Sequence, residues 1–281
     1  MIGIDLKELN RIKKDQYGRI SGIMAIDKPE GVFSHDVVDI VRKRLDTRKV
    51  GHAGTLDPFA SGLLIMLVGS DTKKSQLLLN MDKTYECSVV LGIGTDSFDI
   101  DGNLIYDKKF RLDKDQLKKV IEKFNEEYIQ YVPIFSSVKV SGMKLRELAR
   151  SSSNIEYRDS SEGKIVEFIL KDNSNKKFLK KSENGKVQIL LPSKKVKVSI
   201  ELLKTRIIKK DDIGLQGLKE SSYSILDLKV DCSKGTYIRS LAHDIALELA
   251  SDAFLLSLRR TNIDTINISD AISIEDIPEI R

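Results

Sequence analysis

An aspartate between a small-residue loop and an apolar run is the group best placed to do chemistry in this chain. The stretch "GHAGTLDPFASGLL", residues 51–64, joins Gly51, His52, Gly54 and the Asp57-Pro58 step to an apolar run at 63–68 that reads as a buried strand. Proline at 58 biases Asp57 toward an extended backbone and removes the next amide donor. Gly51 and Gly54 permit backbone conformations that side chains forbid. A loop built this way presents one carboxylate at a fixed angle, fit to attack as a nucleophile or to stabilise developing positive charge. The same residues also fit an Asp-Pro turn whose carboxylate bonds nearby amides. On composition by itself, the plain turn is the simpler reading.

Other chemistries are excluded by spacing. No lysine follows Gly54 or Gly62 as a phosphate-cradling loop requires, "GIGTDSFD" lacks the third glycine of a dinucleotide fingerprint, and there is neither GxSxG nor HExxH. Cys87 and Cys232 stand far apart in apolar runs and read as buried small hydrophobes. With His35, His52 and His243 as the only histidines, no metal-ligand spacing assembles. The net charge of +5 is mild, but Arg42, Lys43, Arg44, Arg48 and Lys49 gather upstream of the loop, and Arg259 and Arg260 stand together near the C-terminus. Clusters flanking a candidate site suit a polyanionic partner, although each by itself also reads as a solvated face.

The elements that must position Asp57 mix strands and helices without regular alternation, which favours an α+β fold over a doubly wound sheet. "GIMAID" reads as a strand and "SHDVVDIVRKRL" as a helix capped by Ser34. "TYECSVVLGIG" reads as a strand, "DKDQLKKVIEKF" as a helix capped by Asp113, and "GMKLRELAR" as a shorter helix. In "SILDLKVDC" Leu226, Leu228, Val230 and Cys232 alternate as in a strand, and "RSLAHDIALELA" returns to helical spacing. Within "KGTYIR", Tyr237 and Arg239 alternate with Ile238, which places both on one face of a strand. Among the 281 residues no apolar stretch approaches the ~18 that span a bilayer. The first residues carry no signal-peptide core. A cytoplasmic protein with no membrane contact is therefore expected.

Six ordered blocks resemble the TruB family, the tRNA pseudouridine synthases that modify uridine 55 in the T arm. "GHAGTLDPFASGLL" resembles the family's catalytic motif, "DKPEGVFSHDVVDIVRK" its lysine-proline segment and "DKTYECSVVLGIGTDSFDIDG" its tyrosine-bearing motif. "VPIFSSVKVSGMKLRELAR" is similar to its PPxYSA segment, and "CSKGTYIRSLAHDI" and "LLSLRR" to its last two motifs. The departures are Val132 for the first proline of PPxYSA, Phe135 for its tyrosine and Ser137 for its alanine. The resemblance implies the pseudouridine synthase fold, a central mixed, mostly antiparallel sheet flanked by helices. The expected organisation is an extension at 1–20, a catalytic domain at 21–260 with a lysine-rich insertion at 156–191, and a short tail at 261–281 without a separate C-terminal RNA-binding domain.

The resemblance also assigns roles. Asp57 is the implied nucleophile, paired with Arg239, which keeps it ionised and oriented. Tyr237 lines the uracil pocket and assists proton removal at carbon 5. Tyr85 stacks on the flipped base, Leu258 closes the apolar pocket, His52 contacts the displaced nucleotides, and Lys28 supports the pocket or the RNA backbone. The implied reaction needs no cofactor and no metal, and a monomer acting on tRNA without a protein partner is expected. Two other readings stand beside it: a tRNA-binding folding chaperone with secondary catalysis, and an RNA-guided synthase of ribonucleoprotein particles.

Overall fold

The run at 63–68 has no polar alternation because it is covered on both faces, and the architecture follows from that. The structure, a computed structural model, describes residues 6–160, 163–170 and 187–279. Its first elements are β1 (Lys13–Lys14), β2 (Ile20–Lys28), α1 (Ser34–Arg44), β3 (Val50–His52), β4 (Ser61–Val68) and α2 (Ser75–Leu79). Next come β5 (Lys83–Leu91), β6 (Ile93–Thr95), β7 (Leu104–Asp107), α3 (Lys114–Phe124), β8 (Glu127–Tyr131), β9 (Lys139–Val140), β10 (Met143–Lys144) and α4 (Leu145–Arg150). The remainder is β11 (Ser152–Ser160), β12 (Gly163–Leu170), β13 (Val187–Leu190), β14 (Ser193–Lys209), β15 (Ser222–Cys232), α5 (Ile238–Glu248), β16 (Ala253–Ile263) and β17 (Ile266–Asn267).

Ten strands form one mixed sheet in the order β1-β2-β4-β16-β5-β15-β14-β8, with β3 beside β4 and β17 beside β16. The pairings are antiparallel except β4 with β16, which run parallel. This is the α+β sheet with flanking helices that the resemblance implies. Leu64, Met66 and Val68 of β4 join one buried cluster with Leu226, Leu228, Val230 and Cys232 of β15, and α1, α3 and α5 cover it. Leu63, Ile65 and Leu67 face the opposite side with Ile23, Ala25 and Ile263. Each such side chain contributes roughly 1.5–3 kcal/mol when fully buried. Asp113 caps α3 as expected, accepting from the amides of Asp115 and Gln116.

Two local expectations are corrected. Ser34 is the first helical residue of α1 and not its cap: Phe33 is the last extended residue, and Asp36 accepts the Phe33 amide. Tyr237 and Arg239 do not lie on a strand. Tyr237 is the extended residue before α5, and Arg239 sits in the first turn of that helix. Three residues of alternation are too few to outweigh the helical repeat of Ile238, Leu241, Ala242 and Ile245, all buried.

The segments at either end pack on the sheet. Leu9 joins the second cluster, the Asn10 side chain accepts the Ala25 amide and donates to the Asp270 carbonyl, and Ile277 joins the first cluster. Residues 1–5 and 280–281 of the proposed extension and tail lie outside the described residues, as do 161–162 and 171–186 of the insertion. Most lysines of that insertion therefore fall outside them too. The described part of the insertion joins a three-stranded sheet, β11-β12-β13, over a separate apolar cluster that includes Val132, Ile134, Leu148 and Phe168.

The parallel pair depends on Gly62, which lies opposite Arg260 at φ +102°. A Cβ there would come within 2.3 Å of the Arg260 carbonyl oxygen and 2.8 Å of its nitrogen. Gly62→Ala is expected to destabilise the fold by about 2–4 kcal/mol, the sum of backbone strain and overpacking. A urea midpoint equal to that of the parent protein would contradict this reading.

Candidate active site

Asp57 lies on the loop between β3 and β4, and that loop is fastened on both sides of it. Upstream, the Ser34 hydroxyl donates to the Leu56 carbonyl at 3.0 Å and accepts the Leu56 amide at 2.9 Å. Downstream, the Gly31 amide donates to the Pro58 carbonyl at 2.8 Å. Lys28 is fully buried beneath, with its ammonium donating to the carbonyls of Pro29, Val32 and Pro58. Burial pushes the Lys28 ammonium down to about 8, against the opposing pull of Glu30 and Asp57.

From the other side comes Arg239, whose side chain is 5% exposed against 38% for Asp57. Its Nε donates to Asp57 Oδ2 at 2.9 Å. Nη1 donates to the Ser97 carbonyl at 2.8 Å and lies 3.4 Å from Asp99 Oδ2, and Nη2 donates to the Phe135 carbonyl at 2.9 Å. Asp57 Oδ1 has no protein partner among the described residues. One carboxylate oxygen is thus pinned and the other faces outward.

Sequence reasoning missed the far side of this arginine. Asp99 is buried, accepts from the Ser97 hydroxyl and the Asp101 amide, and shares Arg239 with Asp57. Burial pushes its carboxyl up to about 6, although Arg239 and Ser97 pull it down. Between Ser97 and Asp99 the chain turns at Phe98, which takes a positive φ of 63° unusual for an aromatic residue. The Phe98 ring stacks at 4.0 Å on His243, four residues beyond Arg239 on α5, and His243 in turn meets Asp252 at 3.0 Å. In the sequence Asp99 lies among Asp96 and Asp101 in a turn, with nothing to set it apart. Gln130, fully buried on β8, was also missed. It accepts the Tyr237 amide at 2.8 Å and donates to the Tyr237 carbonyl at 3.1 Å, fixing that residue in place.

Tyr85 and Tyr237 lie on different elements, and Asp57 is an electrostatic neighbour of both. Tyr85 on β5 is buried opposite Arg260 in the sheet, and Leu258 pairs with Cys87 two positions along. Burial raises the phenol pKa of both Tyr85 and Tyr237. His52, half-buried on β3, has a buried Nδ1 with no partner, and burial followed by Arg260 and His35 lowers its pKa. Its electrostatic neighbours are Arg260 and His35.

The basic clusters are partly consumed by the fold. Arg260 is buried and donates to the carbonyls of Leu63 and Gly54, so it does not belong to a basic surface. Arg259 pairs with Asp27, Arg42 with Asp39, and Arg44 donates to the carbonyls of Glu275 and Ile277. Lys43, Arg48 and Lys49 stay exposed. The Tyr-to-Phe departure at 135 leaves the arginine contact intact, because the main-chain carbonyl makes it.

The family model described as "TruB family pseudouridylate synthase (N terminal domain)" matches residues 42–189. Among similar curated proteins, tRNA pseudouridine synthase B of Mycoplasma capricolum subsp. capricolum is 35% identical over 259 residues, covering 92% of this chain and 73% of that protein. The protein of the same name from Aquifex aeolicus is 33% identical with the same coverage, and that from Endomicrobium trichonymphae is 33% identical over 92% of each. Among solved structures, a Cbf5-Nop10-Gar1 complex aligns with TM-score 0.54 at 24% identity over 90% of this chain and 52% of that one. An H/ACA ribonucleoprotein bound to a substrate RNA containing 2′-deoxyuridine aligns with TM-score 0.52 at 23% identity over 90% of this chain. These two are likenesses of fold, and this chain spans about half the length of those solved chains.

The raised Asp99 pKa makes a signed prediction. The folded state holds this proton up to about pH 6, whereas the unfolded chain releases it near 3.8. The contribution to stability is therefore complete below pH 3.8 and is lost as pH rises through about 6. Asp99→Asn removes this dependence. Across that window the parent protein should lose roughly 3 kcal/mol relative to the variant. Denaturant titrations of both proteins at several pH values test it, and parallel stability curves would refute it.

Proposed function

The chain belongs to the TruB family and is a pseudouridine synthase, an isomerase, and on that basis we propose that it converts uridine 55 of the tRNA T arm to pseudouridine with Asp57 as nucleophile. The names of its curated relatives support tRNA as substrate. The observation that carries the assignment of Asp57 is its asymmetric carboxylate, with Oδ2 held by a buried arginine and Oδ1 open on a half-exposed loop.

The reaction breaks the N1–C1′ bond of uridine and forms a C5–C1′ bond. The proton on C5 leaves and N1 gains one, so atoms and electrons balance without an added reagent. An anionic oxygen contributes in one of two places: by adding to the uracil ring, or by bonding to C1′ as the base departs. Either role requires an oriented carboxylate, and Arg239 orients it through a charge-assisted bond. Asp99 and the carbonyls of Ser97 and Phe135 hold Arg239 in turn.

A base within a folded arm must leave its stack to reach this loop, at a cost of roughly a few kcal/mol. Tyr85 and Tyr237 supply aromatic faces for the extruded uracil, and Leu258 closes the apolar side. His52, with one ring nitrogen free of protein partners, is a polar contact for the nucleotides displaced around it. Lys28 acts on the pocket through the Pro58 carbonyl. The enzyme works on free tRNA as a monomer.

Tritium release from carbon-5-labelled uridine in unmodified tRNA tests the activity. Asp57→Asn preserves size and removes charge, so turnover should fall by about 10³-fold or more, equivalent to roughly 4 kcal/mol of barrier. Turnover near the parent rate would sink the assignment.

For Tyr85, the phenylalanine variant keeps the stacking face. The alanine variant should lose about 1–3 kcal/mol more. Equal losses in both would show that the hydroxyl matters more than the ring.

A further inference from the structure

Over the ring of Tyr237 stands a cation with no anion among the described residues. Lys194, at the start of β14, places its ammonium over the ring of Tyr237, 4.5 Å from the centroid. The alternation that buries Val196, Val198 and Ile200 runs back to Lys194, so this lysine occupies an inward position of its strand. Room for it comes from Gly235 at φ +75°, where a Cβ would lie 2.7 Å from the lysine Nζ. No hydrogen bond or ion pair reaches that ammonium among the described residues. Asp57 and Asp99 are both engaged by Arg239, and Glu127 at the neighbouring strand is taken by Lys195. Burial lowers the Lys194 pKa, as it does for an ammonium that has lost water without gaining a counter-charge.

We propose that Lys194 receives a backbone phosphate adjacent to the uridine held at Tyr237. The inference rests on the RNA-isomerase reading above. A base lodged against Tyr237 carries its own phosphodiesters within one nucleotide, and a lysine serves such a group as a point charge without demanding bidentate geometry. In the free protein the tyrosine face holds the ammonium in position. On binding, the diester supplies the missing anion, so recognition of the backbone is coupled to seating of the base.

The test uses the full chain and an unmodified T-arm stem-loop RNA, with Lys194→Met keeping the aliphatic stem, Lys194→Gln as a second neutral variant and Lys194→Arg keeping the charge. Affinity is measured across a salt series, and KM and kcat are separated by tritium release. Removing one phosphate contact should reduce the slope of log K against log salt by about 0.7–0.9. KM should rise several-fold in the neutral variants, and arginine should restore both slope and KM. An unchanged slope and KM would overturn the proposal and leave Lys194 as a packed stem. An unchanged slope with a slower single-turnover step at saturating RNA would also overturn it, placing the cation's action on the Tyr237 phenol. Should the parent protein bind the RNA yet release no tritium, the isomerase reading fails. The slope difference would still score the phosphate contact by itself.

Discussion

A single buried guanidinium organises this protein's site. Arg239 reaches from the first turn of α5 to the Asp57 loop, to the turn around Phe98 and to the Phe135 carbonyl, joining segments distant in sequence. Its position is electrostatically unfavourable, because the start of a helix already carries partial positive charge. Taking an ion from water into a protein interior costs several kcal/mol even after relaxation. Two carboxylates and two carbonyls offset that cost, and the need for all of them explains why three loops converge. The surplus negative charge appears at Asp99, whose carboxyl is the more buried of the two and holds its proton to about pH 6.

The scaffold around this contact works by fixing main chain. Ser34 bonds Leu56 in both directions, Gly31 and Lys28 hold the Pro58 carbonyl, and Arg260 holds Gly54 and Leu63. These anchors fall on the backbone to either side of Asp57, so its Cα is confined while Arg239 holds one carboxylate oxygen. Preorganisation of this kind fixes the position of a side chain before any ligand arrives.

Much of this was legible in residue order. Alternation at Leu226, Leu228, Val230 and Cys232 follows from a strand with one face on the core, and Asp113 announced its helix because a cap is a local bond. The Asp57 loop was legible through Pro58 and its glycines, although only a resemblance over several motifs set a catalytic reading above a plain turn. Asp99 and Gln130 were not legible: each matters through a partner more than one hundred residues away, and nothing beside them in the chain reports that. Arg260 misled for the opposite reason. Next to Arg259 it looks like half of a basic patch, yet successive strand residues point to opposite faces and only one of the two meets solvent.

The contact from Arg239 to Phe135 has a bearing on how this protein can evolve. A carbonyl is common to all twenty residue types, so substitution at 135 changes what fills the adjacent apolar cluster without altering the acceptor offered to the arginine. Inheritance acts there on the path of the backbone, and the side chain is free to drift among shapes that preserve the path. Lineages can therefore exchange a phenolic ring for a plain one at this position while the ion pair between Asp57 and Arg239 descends unchanged. An alignment scored by residue identity would register that exchange as divergence at the site, where the geometry records none.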